Sequence, residues 1–540
     1  MKKPVIRLLA LLLLSALLAG CGQLSGPAQE LLEIIQQESG EGTVTFDQMV
    51  YARPDLEEME NILAKACQAA AGEDFRKILQ GIYDFYDVYD AFDTNYALAD
   101  IHYCADLTNE KWEEEYNFCV NAAPQVDAML EELYYALAKS PCLAQLEDDR
   151  YFGQGYFDSY QGQNLWDEEF TALLEQEAAL VSRYYELSDL GNTFAYASEE
   201  YYDACFADMA QVLAQLVPVR QEIARYWGYD DFAQFAADNY YYRDYDLDQT
   251  ESYLLAIREE LVPLYVQFNE NFSWEDAFTF APESQTYDWL RNTALSMGGS
   301  VAESFRIMDQ SGLYDISYSE NKYPASFETY LVSYQVPFVF MNATQTEYDY
   351  LTFAHEFGHF CNDHVSWGSY AGMDVQEFFS QGMEYLSLCY GEDTERLRKM
   401  KMAESLATYV EQAGYAVFEL ELYRLPADQL NPEGIRQLYD RVAADYGFAS
   451  VGYDSRDFIA ITHFFTDPMY ILSYVVSNDA AMQLYQMETE SPGTGLACFE
   501  ANLGTEEYYF LSFLQAAGLE SPFAQGRLEE VKQTFERILH

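Results

Sequence analysis

His355-Glu356-Phe357-Gly358-His359 places two imidazoles four residues apart, with a carboxylate directly after the first. On an α-helix residues i and i+4 share a face, so both rings can reach one ion about 2 Å from each ring nitrogen. Glu356 projects away from the line joining the two ligands and can reach a water instead of the metal. That division of labour suits hydrolysis at a zinc site. A helix through the motif is expected, because Thr346-Glu347-Tyr348-Asp349 reads as a capping box and Tyr350, Leu351, Phe353 and Ala354 follow as helix-forming or core residues.

Two imidazoles leave zinc short of a ligand. His364 cannot supply it in the metzincin manner, since Asn362 stands where that motif needs glycine and His364 comes one residue early. It reads as a helix-end or surface histidine. Further on, Asp374-Val375-Gln376-Glu377-Phe378-Phe379-Ser380-Gln381-Gly382-Met383-Glu384 spaces Glu377 and Glu384 by two helical turns on one face. Glu377 can complete a set of two histidines and one carboxylate, with Glu384 or Asp374 accepting a hydrogen bond from a ligand histidine. Spacing alone leaves Glu377 one acidic candidate among several.

Four stretches together resemble the zinc oligopeptidases that include thimet oligopeptidase and oligoendopeptidase F. They are Pro337-Phe338-Val339-Phe340-Met341-Asn342, which resembles the strand leading to that family's zinc helix; Phe353 to His359; the Glu377 to Glu384 segment with its Ser-Gln pair; and Ile461-Thr462-His463-Phe464-Phe465 followed by Tyr470 and Tyr474. Weaker echoes lie at Tyr51 to Leu56, Arg220 to Ala224 with Gly228-Tyr229, Phe418 to Glu421, and Ala517 to Phe523.

The resemblance implies one Zn2+ held by His355, His359 and Glu377, with Glu356 as general base. His463, Tyr470 and Tyr474 are then donors to the tetrahedral oxyanion, although the tyrosine register is shifted and no glycine-rich loop separates His463 from Tyr470. It also implies a mostly α-helical fold with a thermolysin-like zinc helix pair, a small β-sheet, and helical walls around a deep channel that admits short unfolded peptides. Phe338, Val339, Phe340 and Met341 would bind substrate if their strand lies at a sheet edge, where an extended peptide can add as a further strand. An ordinary core strand is the competing reading.

Met1-Lys2-Lys3 and Arg7, the apolar Leu8 to Leu18 and Leu18-Ala19-Gly20-Cys21 together read as a bacterial lipoprotein leader. Residues 1–20 are then a signal peptide, Cys21 is lipidated, and 21–42 form a tether. The expected location is outside the cytoplasm, held to a membrane by lipid alone. An N-terminal helical domain over 43–195 and a catalytic domain over 196–540 follow, with helices predicted from Asp55 to Ala71 and Lys111 to Lys139, and strands between Gly312 and Asn342.

The formal charge of −61 argues against nucleic-acid partners. Its simpler consequence is a well-solvated surface; the same field would draw cationic peptides. Asp244, Asp246 and Asp248 do not make an EF-hand, because Gln249 replaces the needed glycine and Leu255 the final glutamate. The nine cysteines include Cys21 and form no CxxC ribbon, and Cys361 reads as a packing residue. A monomeric zinc oligoendopeptidase acting on short peptides is expected; the alternative is a non-catalytic lipoprotein that binds peptides or zinc.

Overall fold

Amphipathic helices open the described part of the chain and end where their capping residues dictate. In the computed structural model, residues 44–148, 150–161, 168–188, 198–272, 279–368, 371–392, 394–505 and 507–539 are described. The expected signal peptide (1–20), the expected lipidation site Cys21 and the expected tether (21–42) lie outside them. Helix α1 (Leu56–Ala70) starts at Asp55, whose carboxylate accepts the Glu58 N–H at 3.0 Å. Helix α2 spans Phe75–Ala105, and α3 (Glu110–Ala138) starts at Asn109, which caps the Trp112 N–H.

Their apolar stripes, among them Leu63, Ile82, Phe85, Val126, Leu130 and Leu133, meet in one core. Residues 306–342 belong to this same compact unit, together with the chain up to 165. Backbone and hydroxyl bonds explain the return: the Leu107 N–H donates to Asn321 O, Tyr323 N–H to Cys104 O, and Ser333 and Thr94 bond each other at 2.9 Å. Among the described residues the chain therefore leaves this unit after 161 and comes back for 306–342. That return is a long-range pairing, invisible to local pattern.

The returning segment carries the sheet: β1 (Tyr314–Asp315), β2 (Ser326–Leu331) and β3 (Val336–Met341), in the order β1-β3-β2. Strand β3 runs parallel to β1 and antiparallel to β2, with Phe327 opposite Phe340 and Glu328 opposite Val339. All six β3 residues are buried. The edge-strand expectation is thus corrected: Phe338, Val339, Phe340 and Met341 are core residues of a strand paired on both sides. An unbroken apolar run is what such a central strand requires. On that side of β3 the edge of the sheet is β2.

The second unit comprises 166–305 and 343–540. Helices α4 (Glu168–Ser188) and α5 (Glu199–Tyr226) pack on each other. Then come α6 (Tyr348–Ser366), α7 (Met373–Tyr390), α8 (Thr394–Ala407), a π-helical turn over Thr408–Gln412, α9 (Ala413–Leu422), α10 (Leu472–Glu490) and α11 (Arg527–Leu539). Helix α7 lies between α6 and α10 and is buried from Asp374 to Leu388 save Gln376.

Among the described residues the eight cysteines after Cys21 are free, with Cys361 fully buried. No described helix is long and apolar enough to cross a membrane. The chain is mostly helical with one small sheet, as its sequence leads one to expect. Asp246, far from forming a calcium loop, caps the helix Leu247–Glu260 in a reciprocal bond with Gln249.

Candidate metal centre

The start of α6 departs slightly from the predicted capping box. Asp349 does reach back to the Thr346 N–H at 3.3 Å, and also holds Thr344 through its N–H and hydroxyl. The Thr346 hydroxyl, however, accepts from Tyr348 N–H, one residue short of the third helical position. Either way the first turn is tied down and α6 runs through the motif.

Gly358 explains how the motif meets its partner helix. A Cβ built there would lie 2.7 Å from Ser380 Cα and closer still to Phe379 O. Only a hydrogen at that position lets α6 and α7 approach backbone to backbone, which brings the histidines of one helix to the glutamates of the other.

The result is a cluster in which His355, His359 and Glu377 each offer an atom, all within 4.8 Å of one another. His355 Nε2 is 3.6 Å from Glu377 Oε2. Two imidazoles and one carboxylate form the donor set of a zinc site that leaves a coordination position open, so these residues fit that metal. His364 is not part of the group; it stacks on Phe360 in the last turn of α6.

Two buried acids next to these donors, Glu384 and Glu377, are held by hydrogen bonds, as burial favours. Glu384 Oε1 meets His355 Nδ1 at 2.9 Å, the arrangement that fixes a ligand ring and its tautomer. Its other oxygen is 2.6 Å from Lys401 Nζ on α8, and Lys401 is only 4 % exposed. Glu377 accepts from the Ser380 hydroxyl at 2.9 Å and from the Tyr470 hydroxyl at 3.2 Å. Asp374 does not take part: it accepts from Tyr245 at 2.7 Å and lies 3.8 Å from Arg243. Of the two candidates for orienting a ligand histidine, Glu384 alone touches one.

Electrostatics separates these groups. Burial pushes His359 down to about 4. Burial also opposes charge on His355, but Glu384, through its bond and its charge, outweighs it with help from Glu356 and Glu377, and raises the ring to about 9. Burial raises Glu356 to about 7; His355 opposes this, while Glu377 and Glu384 add to it. Glu377 remains below its usual range despite burial, because His355, His359 and its two hydroxyl donors favour the anion.

The segment from His463 to Tyr474 contributes the remaining polar groups. His463 Nε2 is 3.3 Å from the Tyr474 hydroxyl, and its Nδ1 is 3.5 Å from Asp467. The His463 ring stacks on Tyr470 with centroids 4.8 Å apart. Tyr470 and Tyr474 thus take different places: Tyr470 bonds the metal-ligand candidate Glu377, and Tyr474 lines the same cavity as Glu356.

Little regular structure holds this segment, and buried arginines and a buried carboxyl group do so instead. Arg220 of α5, 0 % exposed, donates to Phe464 O at 3.1 Å and Phe465 O at 2.5 Å, and pairs with Glu177 at 2.6 Å. Arg243 donates to Met469 O at 2.9 Å and Ser473 Oγ at 3.0 Å. Glu419 of α9 accepts the Met469 N–H at 3.0 Å, fixing a residue whose φ is +67°.

None of these three residues, nor Lys401, was singled out in sequence as part of a site. Arg220 and Glu419 do fall in two of the weaker resembling stretches. In a chain with only 29 Lys and Arg, a basic residue inside an apolar helical stretch was the available signal.

Comparison with known proteins bears on the whole arrangement. Residues 46–164 match the peptidase M3 N-terminal domain. No curated protein sequence matches the chain. Among solved structures, one assigned as oligoendopeptidase F superposes with a TM-score of 0.76 at 21 % identity, covering 92 % of this chain and 98 % of its own. PZ peptidase A with an inhibitor gives 0.77 at 19 %, covering 92 % and 99 %. A Bacillus anthracis structure also assigned as oligoendopeptidase F gives 0.75 at 19 %, covering 93 % and 99 %. The chain therefore carries the fold of the oligoendopeptidase F structures, opening on a stretch that matches the peptidase M3 N-terminal domain.

Proposed function

We propose that this chain is a zinc-dependent oligoendopeptidase that cleaves internal bonds of short, unfolded peptides. The observation that carries this reading is the convergence of His355, His359 and Glu377 within 4.8 Å, beside a buried Glu356 that is not one of the three. A protein that merely stored zinc has no use for an unligated carboxylate at that place.

When bound, zinc supplies a Lewis acid that makes a water nucleophilic near neutral pH and polarises the scissile carbonyl. Glu356 holds the proton taken from the attacking water and delivers it to the leaving amine. A carboxylate raised to about 7 is matched to both halves of that task near neutrality. Glu384 keeps the His355 ring in one orientation and one tautomer, with Lys401 keeping Glu384 ionised. Tyr474, paired with His463 and lining the cavity beside Glu356, is the donor to the developing oxyanion. Tyr470 steadies Glu377.

The leader adds the location: export, lipidation at Cys21, and action outside the cytoplasm as a membrane-tethered monomer. The match to the peptidase M3 N-terminal domain supports peptide substrates. Incubating the purified protein with a quenched fluorescent peptide library should release fluorescence that a chelator abolishes and zinc restores. Cleavage unaffected by chelation would contradict the proposal. Labelling of wild type but not Cys21→Ser with a clickable fatty acid tests the anchor.

A further inference from the structure

Next to Glu356 opens a cavity of about 280 Å³. Its near wall is the site itself, through His355, Glu356, Glu384 and Tyr474; its far wall is Tyr348, Thr352, Lys401, Glu404, Thr408 and Gln412. Resting on the peptidase reading above, we propose that this cavity is the subsite that selects a basic side chain, lysine or arginine, next to the cleaved bond.

The far wall is polar by construction. Tyr348, Thr352 and His355 follow each other at helical spacing on α6, so one face of that helix runs from the cavity to the metal ligands. From the other side, α8 presents Lys401 and Glu404, and the π-helical turn after it presents Thr408 and Gln412. Such turns recur at functional sites.

Charge along this wall is unequal. Lys401, its only cation, is consumed twice, at 2.6 Å from Glu384 and 3.2 Å from Glu404. Two carboxylates share one ammonium, and Glu404 is the one whose side chain stays 27 % exposed. The Tyr348 hydroxyl donates to Glu404 at 2.6 Å and so orients the carboxylate without neutralising it. The other far-wall groups are hydroxyls and an amide.

Against the far wall an acidic side chain finds no uncommitted cation and the Glu404 carboxylate, while a basic one finds Glu404 and several oxygen acceptors. A separate observation points to a ligand. Gln381 is 5 % exposed, lines the cavity, and makes no side-chain hydrogen bond to the described residues. An amide that lines the cavity with no partner among the described residues is available to a polar group received there.

The test uses zinc-loaded protein and quenched fluorescent peptides that differ only at the positions flanking the cleaved bond, carrying Arg, Lys, Leu or Glu. At one of these positions Arg and Lys should exceed Glu at least tenfold in kcat/KM. Glu404→Gln should compress that ratio below threefold, and Gln412→Arg, which adds a cation without touching the Lys401 pairs, should turn it towards Glu. No charge preference at any position, or a preference that survives both substitutions, overturns the proposal.

Binding of the same peptides to Glu356→Gln protein, followed by fluorescence anisotropy, separates this from the peptidase reading. If zinc-loaded wild type cleaves none of the peptides yet the Arg peptide binds the variant at least tenfold tighter than the Glu peptide, the hydrolytic reading alone falls. If all peptides bind alike, the subsite falls whatever is cleaved.

Discussion

The α6–α7 pair and the 463–474 segment supply the two sets of groups at the candidate centre, and they are built on opposite principles. The helix pair is positioned by close packing: Gly358 admits α7, and ligand spacing follows the helical repeat. The segment is positioned by buried polar side chains: two arginine ions, Arg220 and Arg243, and the carboxyl group of Glu419, from three distant parts of the unit, bond its backbone at Phe464, Phe465 and Met469. Packing encodes position in neighbouring residues. Ionic clamping encodes it in residues far away along the chain.

The sharpest way to break this contrast is to remove the clamp. Arg220→Met leaves Glu177 and two carbonyls without their buried partner and should cost about 3–5 kcal/mol in urea unfolding. Because the clamp does not touch the candidate ligands His355, His359 and Glu377, folded Arg220→Met should still bind one zinc per chain while kcat falls. Arg220→Lys keeps the charge but lacks the fork that reaches several acceptors, so it should rescue stability only in part. Loss of zinc in this variant would show that the two regions are not separable.

The complementary change is Gly358→Ala, which forces a methyl against α7 and should cost about 1–3 kcal/mol. Here the order reverses. Zinc affinity, read by competition with a chromophoric chelator, should fall before the 463–474 segment is disturbed. Glu384→Gln is milder still: it removes the anionic acceptor behind His355 and should weaken zinc by roughly 10- to 100-fold, with little change in unfolding.

How much of each region was legible in the sequence follows from the same contrast. The candidate ligands His355 and His359 and the helix carrying them could be read, because both depend on residues three or four positions apart. Resemblance then named Glu377, which spacing could not single out. The central place of β3 could not be read, since a buried apolar strand looks alike wherever its partners lie, and pairing with β1 and β2 is a matter of topology. Nor could the return of 306–342 to the first unit, or the choice of Glu384 over Asp374, which depends on where Tyr245 and Arg243 happen to fold. Of the clamp, the sequence showed only that the stretches around Arg220 and Glu419 resembled something.

The smallest effect sharpens the ionic side. Burial raises Glu419 to about 8, with the Met469 N–H and the two arginines opposing, against an ordinary value near 4.5. A folded-state acid with a raised value stabilises the fold fully below about 4.5, and that contribution is lost as pH rises through about 8, at about 1.4 kcal/mol per unit between them. Glu419→Gln keeps an acceptor for the Met469 N–H and has no proton to lose. The difference in Tm between wild type and this variant should therefore move in favour of the variant from pH 5.5 to pH 8.5. A pH-independent difference would show that Glu419 is already ionised in the fold.

The central claim is that Glu356 is a base beside a metal it does not bind, and one comparison tests it most directly: zinc content and peptide cleavage of wild type and Glu356→Gln, measured on the same preparations. The account predicts one zinc per chain in both and a loss of about 10²–10⁴ in kcat/KM for the variant. Equal cleavage by the two zinc-loaded proteins would contradict it.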